Sequence, residues 1–460
     1  MMYRLSFLLL ALLFLFSYES PRAGNKSDPA KLKPFNIDKT VHSITLSNVH
    51  VVDIENRKII ENQDIIIEGS LIKEVRPHKP NQVFRTDTII QGNGSYVIPS
   101  ICDMHHHMTP SDFDFSGNTP ERQIEILEDQ LQYGIQAIMN PNISLDATNF
   151  ILDENRVGAS PYLILTGPSI GPNKGWGGHQ VSSKEEISNI IEQLHTMGIQ
   201  VVKFTYDDLS WLGGQMPVLE PELLKYIIET SHGKGMKAIA HVADLSRAKE
   251  LLRMGLDGLV HGIVSEKVDE EFLSLLKENR AFYIPTTAVY ETSFGFQESV
   301  RKQFEYNIWE EFPEEFRDSL SNDASRDMWN SWWPKANSLK HGLSNIYWNT
   351  KAVYESGNLV MMGSDTGTPG VLPGISAYYE LELMENSGLT PYEVLECATV
   401  APLKYLGLYP KQGKIAKGSK ANMIVLKKDP TSSVNNINTS WLVLYNGALV
   451  SNSRDLVGTH

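Results

Sequence analysis

Histidines and one aspartate follow apolar stretches of this sequence in a pattern that could hold a metal ion. The segment Asp103-Met104-His105-His106-His107 comes directly after such a stretch. Because alternate residues of an extended chain point the same way, His105 and His107 should face one point while His106 faces away. Two converging imidazoles are the beginning of a transition-metal site. Three clustered histidines could also be an ordinary polar loop, so this interpretation depends on further ligands.

Three more polar residues, far apart in the sequence, each end an apolar stretch. They are His241, His261 and Asp365. One histidine at the end of a strand is more often a structural residue, but the same placement in all of them is hard to attribute to chance. A carboxylate is needed as well, because a metal-bound water has its pKa lowered to about 7 and a base must take its proton. Asp365 is therefore the predicted catalytic proton carrier.

Lys203 lies inside an apolar run, Val201-Val202-Lys203-Phe204, where a lysine is costly to bury without a partner. Reaction of its amine with carbon dioxide would give a carbamate, an anionic oxygen ligand able to bridge two metals. The other interpretation is a lysine that reaches solvent or binds substrate. The residues alone leave both interpretations open.

Eight apolar runs in the middle of the chain alternate with helical patterns, and they would position these side chains. Eight buried strands alternating with helices over about 300 residues predict an α/β fold of the (β/α)8 TIM-barrel type, whose strand ends carry the active site. A doubly wound open sheet is the alternative, but the sequence lacks the glycine fingerprint that favours it. The predicted strands are Tyr96–Asp103, Ile135–Met139, Tyr162–Leu165, Val201–Phe204, Met236–Ala240, Gly258–Val260, Ala281–Ile284 and Leu359–Met362.

Both ends of the chain carry short strand patterns, which predict one small, discontinuous β-sandwich domain. We assign it residues 44–96 and 408–452, with Asn446-Gly447 as a tight-hairpin signal, and we assign the barrel residues 97–407. Within the barrel, residues 292–339 form an insertion rich in aromatic residues. It is interpreted either as a lid over the site or as extra packing or an oligomer contact.

The N-terminus predicts export. A positively charged start is followed by an apolar run and then by polar residues, which is typical of a signal peptide; we assign it residues 1–23, followed by a linker over 24–43. The apolar run is short for a bilayer span, although an uncleaved anchor is the alternative. We therefore expect a secreted protein, periplasmic or extracellular, with no membrane association after signal cleavage.

Composition narrows the class of partner. The formal net charge is -14 and no long Lys/Arg run occurs, which argues against a nucleic-acid partner. A small-molecule substrate is the expected partner, with a homo-oligomer left open. The two cysteines, Cys102 and Cys397, lie in apolar patterns and are predicted to be buried small hydrophobes rather than a disulfide.

Through these candidate ligands and the segments around them, the sequence resembles the amidohydrolase superfamily. The resemblance is closest to its imidazolonepropionase-like and metal-dependent dipeptidase (prolidase-type) branch. The resemblance runs from about Ile44 to Val450. Departures at Ser100-Ile101-Cys102 and Asn422 lie outside the predicted site. The matching segments are Val97-Ile98-Pro99 leading into Asp103-Met104-His105-His106-His107, then Ala240-His241, Val260-His261-Gly262, Gly363-Ser364-Asp365-Thr366-Gly367 and Gly413-Lys414-Ile415-Ala416-Lys417-Gly418-Ser419-Lys420-Ala421.

The resemblance implies a divided ligand set. Imidazolonepropionases proper lack the lysine and use one metal, so the presence of Lys203 favours two divalent ions, expected to be zinc, or a single ion if the lysine is not carboxylated. His179 and Tyr290 resemble substrate-contacting residues of this branch. The implied ligands are His105, His107 and Asp365 for the first metal, carboxylated Lys203 between the two metals, and His241 and His261 for the second metal.

The predicted activity is hydrolysis of an amide or other non-peptide C–N bond by a metal-activated hydroxide, with Asp365 carrying the proton to the leaving amine. A dipeptidase of prolidase type is the most specific form of this prediction. A deaminase, a lactonase or a phosphotriesterase would use the same site. A non-catalytic exported binding protein is the alternative from another class, although no expected ligand is missing. The sequence contains no His-Glu-x-x-His motif and no phosphate-binding loop that ends in lysine and a hydroxyl residue.

Overall fold

The computed structural model describes residues 36–38, 42–109, 118–153, 158–303, 305–306, 314–332 and 341–451. The predicted signal peptide (1–23) and residues 24–35 and 39–41 of the predicted linker (24–43) lie outside the described residues. Among the helices in these ranges, none is long and apolar enough to cross a bilayer.

The described part of the chain contains eighteen strands. They are β1 (Asn36–Asp38), β2 (Ser43–Asp53), β3 (Lys58–Glu68), β4 (Leu71–Pro77), β5 (Thr88–Pro99), β6 (Ile101–Asp103), β7 (Ile135–Asn140), β8 (Tyr162–Leu165), β9 (Ile170–Pro172), β10 (His179–Val181), β11 (Val201–Thr205), β12 (Lys237–His241), β13 (Gly258–Val260), β14 (Phe282–Ile284), β15 (Leu359–Val360), β16 (Met423–Leu426), β17 (Ser440–Tyr445) and β18 (Ala448–Ser451).

Thirteen α-helices are described within the same ranges. They are α1 (Pro120–Asp129), α2 (Leu145–Ile151), α3 (Lys184–Thr196), α4 (Pro221–Gly233), α5 (Leu245–Arg253), α6 (Glu270–Asn279), α7 (Thr287–Gln303), α8 (Glu314–Ser321), α9 (Asp323–Trp332), α10 (His341–Glu355), α11 (Ile375–Asn386), α12 (Pro391–Ala398) and α13 (Val400–Tyr405).

Strands from both ends of the chain form one eight-stranded sheet. Its order is β1-β18-β17-β16-β5-β2-β3-β4, and its neighbouring strands are antiparallel except for β2 and β5. Val425 of β16 pairs with Val97 of β5, so parts of the sequence that are far apart meet here. Alternate residues such as Ile44 and Leu46 point into an apolar cluster that belongs to this sheet.

The hairpin between β17 and β18 has the turn that its residues predict. Asn446 and Gly447 both have positive φ values, 48° and 77°, and Tyr445 pairs with Ala448 across the turn. Two central residues with positive φ define the type I′ turn that matches the twist of paired strands. A side chain at position 447 would collide with the backbone of Gly69, so glycine is also required by this close approach.

The middle of the chain forms two parallel sheets, with the orders β10-β9-β11-β12-β13-β14-β15 and β6-β7-β8. Backbone hydrogen bonds join them at one edge: Met104 N donates to Met362 O at 2.9 Å, and His107 N donates to Thr366 O at 2.8 Å. The predicted mixed α/β fold with parallel strands is confirmed. Closure into a (β/α)8 barrel, and a two-layer sandwich for the terminal sheet, stay predictions.

The two faces of these parallel strands enter different apolar clusters. Val201 of β11 and Ile239 of β12 lie in one cluster with Cys102 of β6, although β6 belongs to the other sheet. The intervening residues Val202 and Ala238 pack instead with the helices. Because side chains alternate along a strand, one face of both sheets shares an inner core and the other face is covered by helices.

The sequence pattern was wrong about one strand boundary. The predicted strand Tyr96–Asp103 is two strands, β5 and β6, which belong to different sheets. The break falls at Ser100, whose backbone N–H bonds to Asn422 O rather than to either parallel sheet. The apolar run is continuous because the end of β5 and all of β6 are buried, so hydrophobicity alone does not reveal the change of sheet. The cysteines are free and buried, as predicted.

The described part of the predicted insertion packs inward at two places. Trp329 of α9 stacks on Phe296 of α7 with ring centroids 5.1 Å apart, and both rings are buried. Phe294 joins a small apolar cluster with Tyr290 and Leu212 beside the strand ends. Residues 304, 307–313 and 333–340 lie outside the described residues, and the choice between a lid and an oligomer contact stays open.

Candidate metal centre

Strand ends bring the predicted ligands together. His105 follows β6 by two residues, His241 is the last residue of β12, and His261 directly follows β13. Thr205, the last residue of β11, pairs with His241 in the parallel register, so Lys203 lies two residues deeper in its strand. Because parallel strands end at the same edge of their sheet, residues distant in sequence share one location.

The predicted ligands His105, His107, Lys203, His241, His261 and Asp365 form what we call the strand-end cluster. Asp365 makes the closest contacts within it. Its Oδ1 lies 3.2 Å from His105 Nε2 and 3.0 Å from His107 Nε2, and its Oδ2 lies 3.7 Å from His261 Nδ1. Ligand atoms of His105, His261 and Asp365 all lie within 4.8 Å of one another, and all three residues are buried. A single cation could contact this set, because the three atoms surround one small volume.

The remaining predicted ligands lie close to these three residues. The ring centroid of His241 is 4.1 Å from that of His261, which is 4.7 Å from that of His105. Lys203 Nζ lies 3.5 Å from His105 Nε2, and the residue is 4% exposed. The amine is therefore held inside the cluster and does not extend to solvent.

Burial sets the protonation state of the cluster. It lowers the pKa of His105 to about 3 and that of His261 well below its usual value, so both rings are neutral. Burial also lowers the pKa of Lys203 to about 8, against the opposing charge of Asp365. For Asp365, burial raises the pKa, but the adjacent imidazoles outweigh it and keep the pKa well below its ordinary range. Neutral imidazoles and an ionised carboxylate are the forms that bind metals.

A buried carboxylate beneath the cluster fixes its backbone. Asp103 Oδ1 accepts hydrogen bonds from His105 N at 3.2 Å and Ser364 N at 2.9 Å, and Oδ2 accepts from Ser364 Oγ at 2.6 Å. Asp365 itself has a left-handed φ of 59°, a conformation that costs an L-residue energy and persists where its surroundings hold it. Asp103 thus ties the β6 segment to the segment that carries Asp365.

His261 is oriented by the next loop. Its Nδ1 lies 2.9 Å from Thr286 Oγ1, and Thr286 also has a left-handed φ, of 47°. The fully buried Glu380 accepts hydrogen bonds from Thr287 N at 2.9 Å and from Ala288 N at 2.7 Å. These bonds fix the start of α7 and, through it, the hydroxyl that contacts the imidazole.

The two predicted substrate residues differ in their relation to the cluster. Tyr290 is buried, its hydroxyl donates to Gly262 O at 3.1 Å, and its ring centroid is 6.2 Å from that of His261. His179 lies half-buried in β10 with its backbone N–H bonded to Ser169 O. Over the described ranges, no hydrogen bond, ion pair or ring contact joins His179 to the cluster.

One charged residue next to the cluster was missed by the sequence analysis. Asp207, in the loop after β11, places Oδ2 3.3 Å from His241 Nε2. It belongs to an Asp207-Asp208 pair in a polar loop, which gave no signal that one of the two is buried. Asp207 also lines a cavity, with an empty volume of about 540 Å³ including open solvent, together with Ser210, Trp211, Ala243, Asp244, Val264, Ser265, His341 and Gly342.

The residues present fit a transition metal such as zinc. Three imidazole nitrogens, His105 Nε2, His107 Nε2 and His261 Nδ1, lie 3.0–3.7 Å from the Asp365 carboxylate. Buried imidazoles gathered around one carboxylate suit a cation-binding role, because a neutral ring can offer a lone pair to the ion. A set of imidazoles with one carboxylate is the donor chemistry that zinc prefers.

Comparison with known proteins gives a family match over most of the chain. Residues 96–447 match the amidohydrolase family, and this range contains all of the predicted ligands. No curated protein sequence matches the chain significantly.

Solved structures share the fold at low sequence identity. A Xaa-Pro dipeptidase with methionine bound in its active site is 20% identical, with 89% of this chain and 100% of the other covered at a TM-score of 0.70. A prolidase complexed with N-methylphosphonate-L-proline is 17% identical, with coverages of 89% and 100% and a TM-score of 0.68. An ochratoxinase from A. niger is 18% identical, with coverages of 89% and 95% and a TM-score of 0.64. Such identities establish a common fold, and the activities named are those of the other proteins.

Proposed function

The chain belongs to the amidohydrolase family and is a hydrolase of C–N bonds, and from this premise we propose that its reaction takes place at the strand-end cluster. The observation that carries the proposal is the buried set of His105, His261 and Asp365, whose ligand atoms lie within 4.8 Å of one another. Neutral imidazoles beside an ionised carboxylate are a favourable environment for a divalent cation and an unfavourable one for an empty polar cavity.

We propose that two zinc ions occupy this cluster. His105, His107 and Asp365 would hold the first, because Asp365 Oδ1 touches both rings at 3.2 Å and 3.0 Å. His241 and His261 would hold the second, since their rings are neighbours. Bound zinc would lower the pKa of a coordinated water to about 7 and polarise the scissile carbonyl.

Asp365 is the proposed proton carrier. Its carboxylate is ionised, which is the form that can accept a proton from the attacking water. It would then deliver that proton to the departing amine as the C–N bond breaks. The segment around Asp103 and Ser364 would keep the carboxylate in place during both transfers, because it fixes the backbone beneath it.

Lys203 is the proposed bridging ligand in its carboxylated form. The unprotonated Nζ would attack carbon dioxide, an N–C bond would form, and one proton would leave to give a carbamate anion. Its position 3.5 Å from His105 Nε2 supports this role, since an ammonium group there would repel a cation. If the lysine is not carboxylated, we propose a single zinc.

A small amide is the proposed substrate, and a dipeptide cleaved by a prolidase-type reaction is the most specific form of this proposal. The fold likeness to prolidases and the cavity lined by Asp207, whose carboxylate contacts His241, support it. His179 and Tyr290 are proposed substrate contacts. A deaminase, lactonase or phosphotriesterase would need the same cluster, and no observation favours one of them.

The domain arrangement and the export of the chain are proposals as well. An inner apolar cluster shared by strands of both parallel sheets supports a closed (β/α)8 barrel. A separate apolar cluster supports a small β domain built from both chain ends. For export, sequencing the N-terminus of the mature protein will show whether residues 1–23 are removed.

Metal counting combined with a substrate panel tests the proposed function. We expect two zinc ions per chain by elemental analysis, amide turnover that chelation removes, and recovery on adding zinc. The Lys203→Ala variant should bind one zinc fewer, and bicarbonate should speed reconstitution of the wild type but not of this variant. Lys267→Ala is a control, because Lys267 lies over the Trp348 ring, away from the cluster. Full turnover by the metal-free protein would contradict the proposal.

A further inference from the structure

A carboxylate outside the predicted ligand set lies against one of the predicted ligands. Asp207 Oδ2 is 3.3 Å from His241 Nε2, and both side chains are at least nine-tenths buried. Asp207 follows Thr205 by two residues, and Thr205 pairs with His241 in the parallel register of β11 and β12. Strand pairing therefore fixes the distance between the two groups.

Two donors hold the Asp207 carboxylate in this position. Leu209 N donates to Oδ1 at 2.8 Å, and the indole nitrogen of Trp211 donates to Oδ2 at 3.1 Å. Leu209 has a left-handed φ of 57°, which turns the loop sharply enough for its N–H to reach back to the carboxylate. A carboxylate accepts up to about four hydrogen bonds, so these donors leave capacity for an imidazole N–H.

The His241 ring lacks another partner at this nitrogen. Its Nε2 is buried, and within the described residues it makes no well-aligned hydrogen bond. A histidine that binds a metal through one nitrogen commonly gives its other N–H to a carboxylate, which fixes the ring and raises its basicity. We infer that Asp207 is a positioning residue that orients His241 for metal binding. This inference rests on the proposed function, because it presupposes a metal at His241.

The two histidines proposed for the second metal are thus held by different groups. His261 meets the neutral hydroxyl of Thr286 at 2.9 Å, whereas His241 meets a carboxylate. A charged partner increases the electron density on the imidazole more than a hydroxyl does. Loss of the Asp207 charge should therefore weaken metal binding at His241, even when the substituted side chain has the same size.

Asp207 also connects the metal position to the cavity. Asp207 and Trp211 both line it, and the Trp211 ring packs on Tyr290 with centroids 4.9 Å apart. A change at Asp207 can thus affect substrate binding by altering the lining of the cavity, and it can affect catalysis by altering metal binding. Metal affinity measured without substrate separates these two effects.

Zinc affinity of Asp207→Asn tests the inference. The substitution keeps the size of the side chain and removes its charge, so we expect the dissociation constant of one zinc ion to rise about 10–100-fold while that of the other is unchanged. The measurement is competition between the protein and a chromophoric chelator, with zinc alone as the probe. Asp208→Asn is the matched control, because that carboxylate pairs with Arg247 at 2.8 Å, and its zinc affinity should equal that of the wild type.

Cobalt substitution adds a readout that a purely structural role would not move. The visible bands of the cobalt-loaded protein report the orientation of its ligands, so they should change in Asp207→Asn and not in Asp208→Asn, and Asp207→Glu should restore part of the zinc affinity. If Asp207→Asn does not fold, Trp211→Phe, which removes one donor to the carboxylate, should weaken zinc binding roughly threefold. Wild-type affinity and unchanged bands in the folded variants would overturn the inference. A wild-type protein that binds no zinc would instead contradict the proposed function.

Discussion

The strand-end cluster and the eight-stranded sheet each bury an aspartate beside histidine, but the two carboxylates have different partners. In the sheet, Asp64 Oδ1 accepts from Ser47 Oγ and Asn48 N, both at 3.0 Å, and lies 2.8 Å from His78 Nδ1. In the cluster, the contacts of the Asp365 carboxylate are with imidazoles, at 3.0–3.7 Å. Oδ1 of the Asp64 carboxylate is held by fixed hydroxyl and amide donors, although its Oδ2 makes no hydrogen bond among the described residues. The Asp365 carboxylate is instead surrounded by side chains that bind metals.

This difference distinguishes a carboxylate that stabilises the fold, Asp64, from one that is placed to bind a metal cation, Asp365. A buried charge with hydrogen-bond donors is tolerated without any ligand, because the donors replace the lost water. A buried carboxylate among imidazoles depends on those rings, which keep the pKa of Asp365 low and can also bind a cation beside it. Substitution of each aspartate should therefore affect a different property of the protein.

The largest expected effect is on turnover in Asp365→Asn. Loss of the proton carrier should lower kcat/KM by about 10²–10⁴-fold. Asparagine tolerates the left-handed backbone conformation at this position, so the substitution changes the charge of the proton carrier and metal ligand without straining the backbone. Steady-state kinetics and metal content should be measured together. Full turnover with a normal metal content would show that Asp365 is not the proton carrier and would contradict the contrast drawn between Asp365 and Asp64.

Asp64→Asn should instead lower the stability of the fold and leave turnover nearly unchanged. Its effect should be smaller than that of Asp365→Asn on turnover. Loss of the charge-assisted hydrogen bonds should reduce the free energy of unfolding by about 1–3 kcal/mol, while kcat/KM per folded molecule stays within about twofold of the wild type. Asp87→Asn is the control, since its exposed carboxylate accepts from Ser43 N at 2.9 Å and should matter less. Equal stability losses in both variants would show that burial does not decide the effect.

The smallest expected effect concerns an exposed carboxylate near the end of the sheet strand β2. The Tyr409 hydroxyl, with Lys404 and Lys414, holds the pKa of Glu55 at about 2. Because the folded-state pKa is lowered from its ordinary 4.5, this contribution to stability is present above about pH 4.5 and is lost as the pH falls toward 2. Glu55→Gln should therefore lower the urea midpoint at pH 6 and have a shrinking effect toward pH 3. A pH-independent difference would contradict this assignment.

Much of the strand pattern could be predicted from the sequence, and the failures have physical causes. The predicted strands Tyr162–Leu165 and Gly258–Val260 agree with β8 and β13, since short buried runs between turn residues define them. The β5–β6 boundary could not be predicted because the chain is apolar and buried on both sides of it. The three-residue strands β9 and β10 lie around a glycine-rich loop that carries too little periodicity to identify them.

The positions of the candidate ligands were predictable, but their supporting groups were not. His105, His241 and His261 follow apolar runs, and that placement alone indicates a shared edge. Asp207 and Glu380 carry no such signal: one lies in a polar loop, and the other lies within α11. Their partners depend on tertiary packing, so only the structure identifies them.

The pairing of β5 with β16 has a consequence for synthesis. Val97 and its partner Val425 are about 330 positions apart. At a translation rate of 5–20 residues per second, the edge of β5 would wait roughly 15–65 s on the ribosome for its neighbour. During that interval the nascent N-terminal strands present an open edge to other chains. Chaperone demand should accordingly depend on the speed at which the chain between Val97 and Val425 is translated.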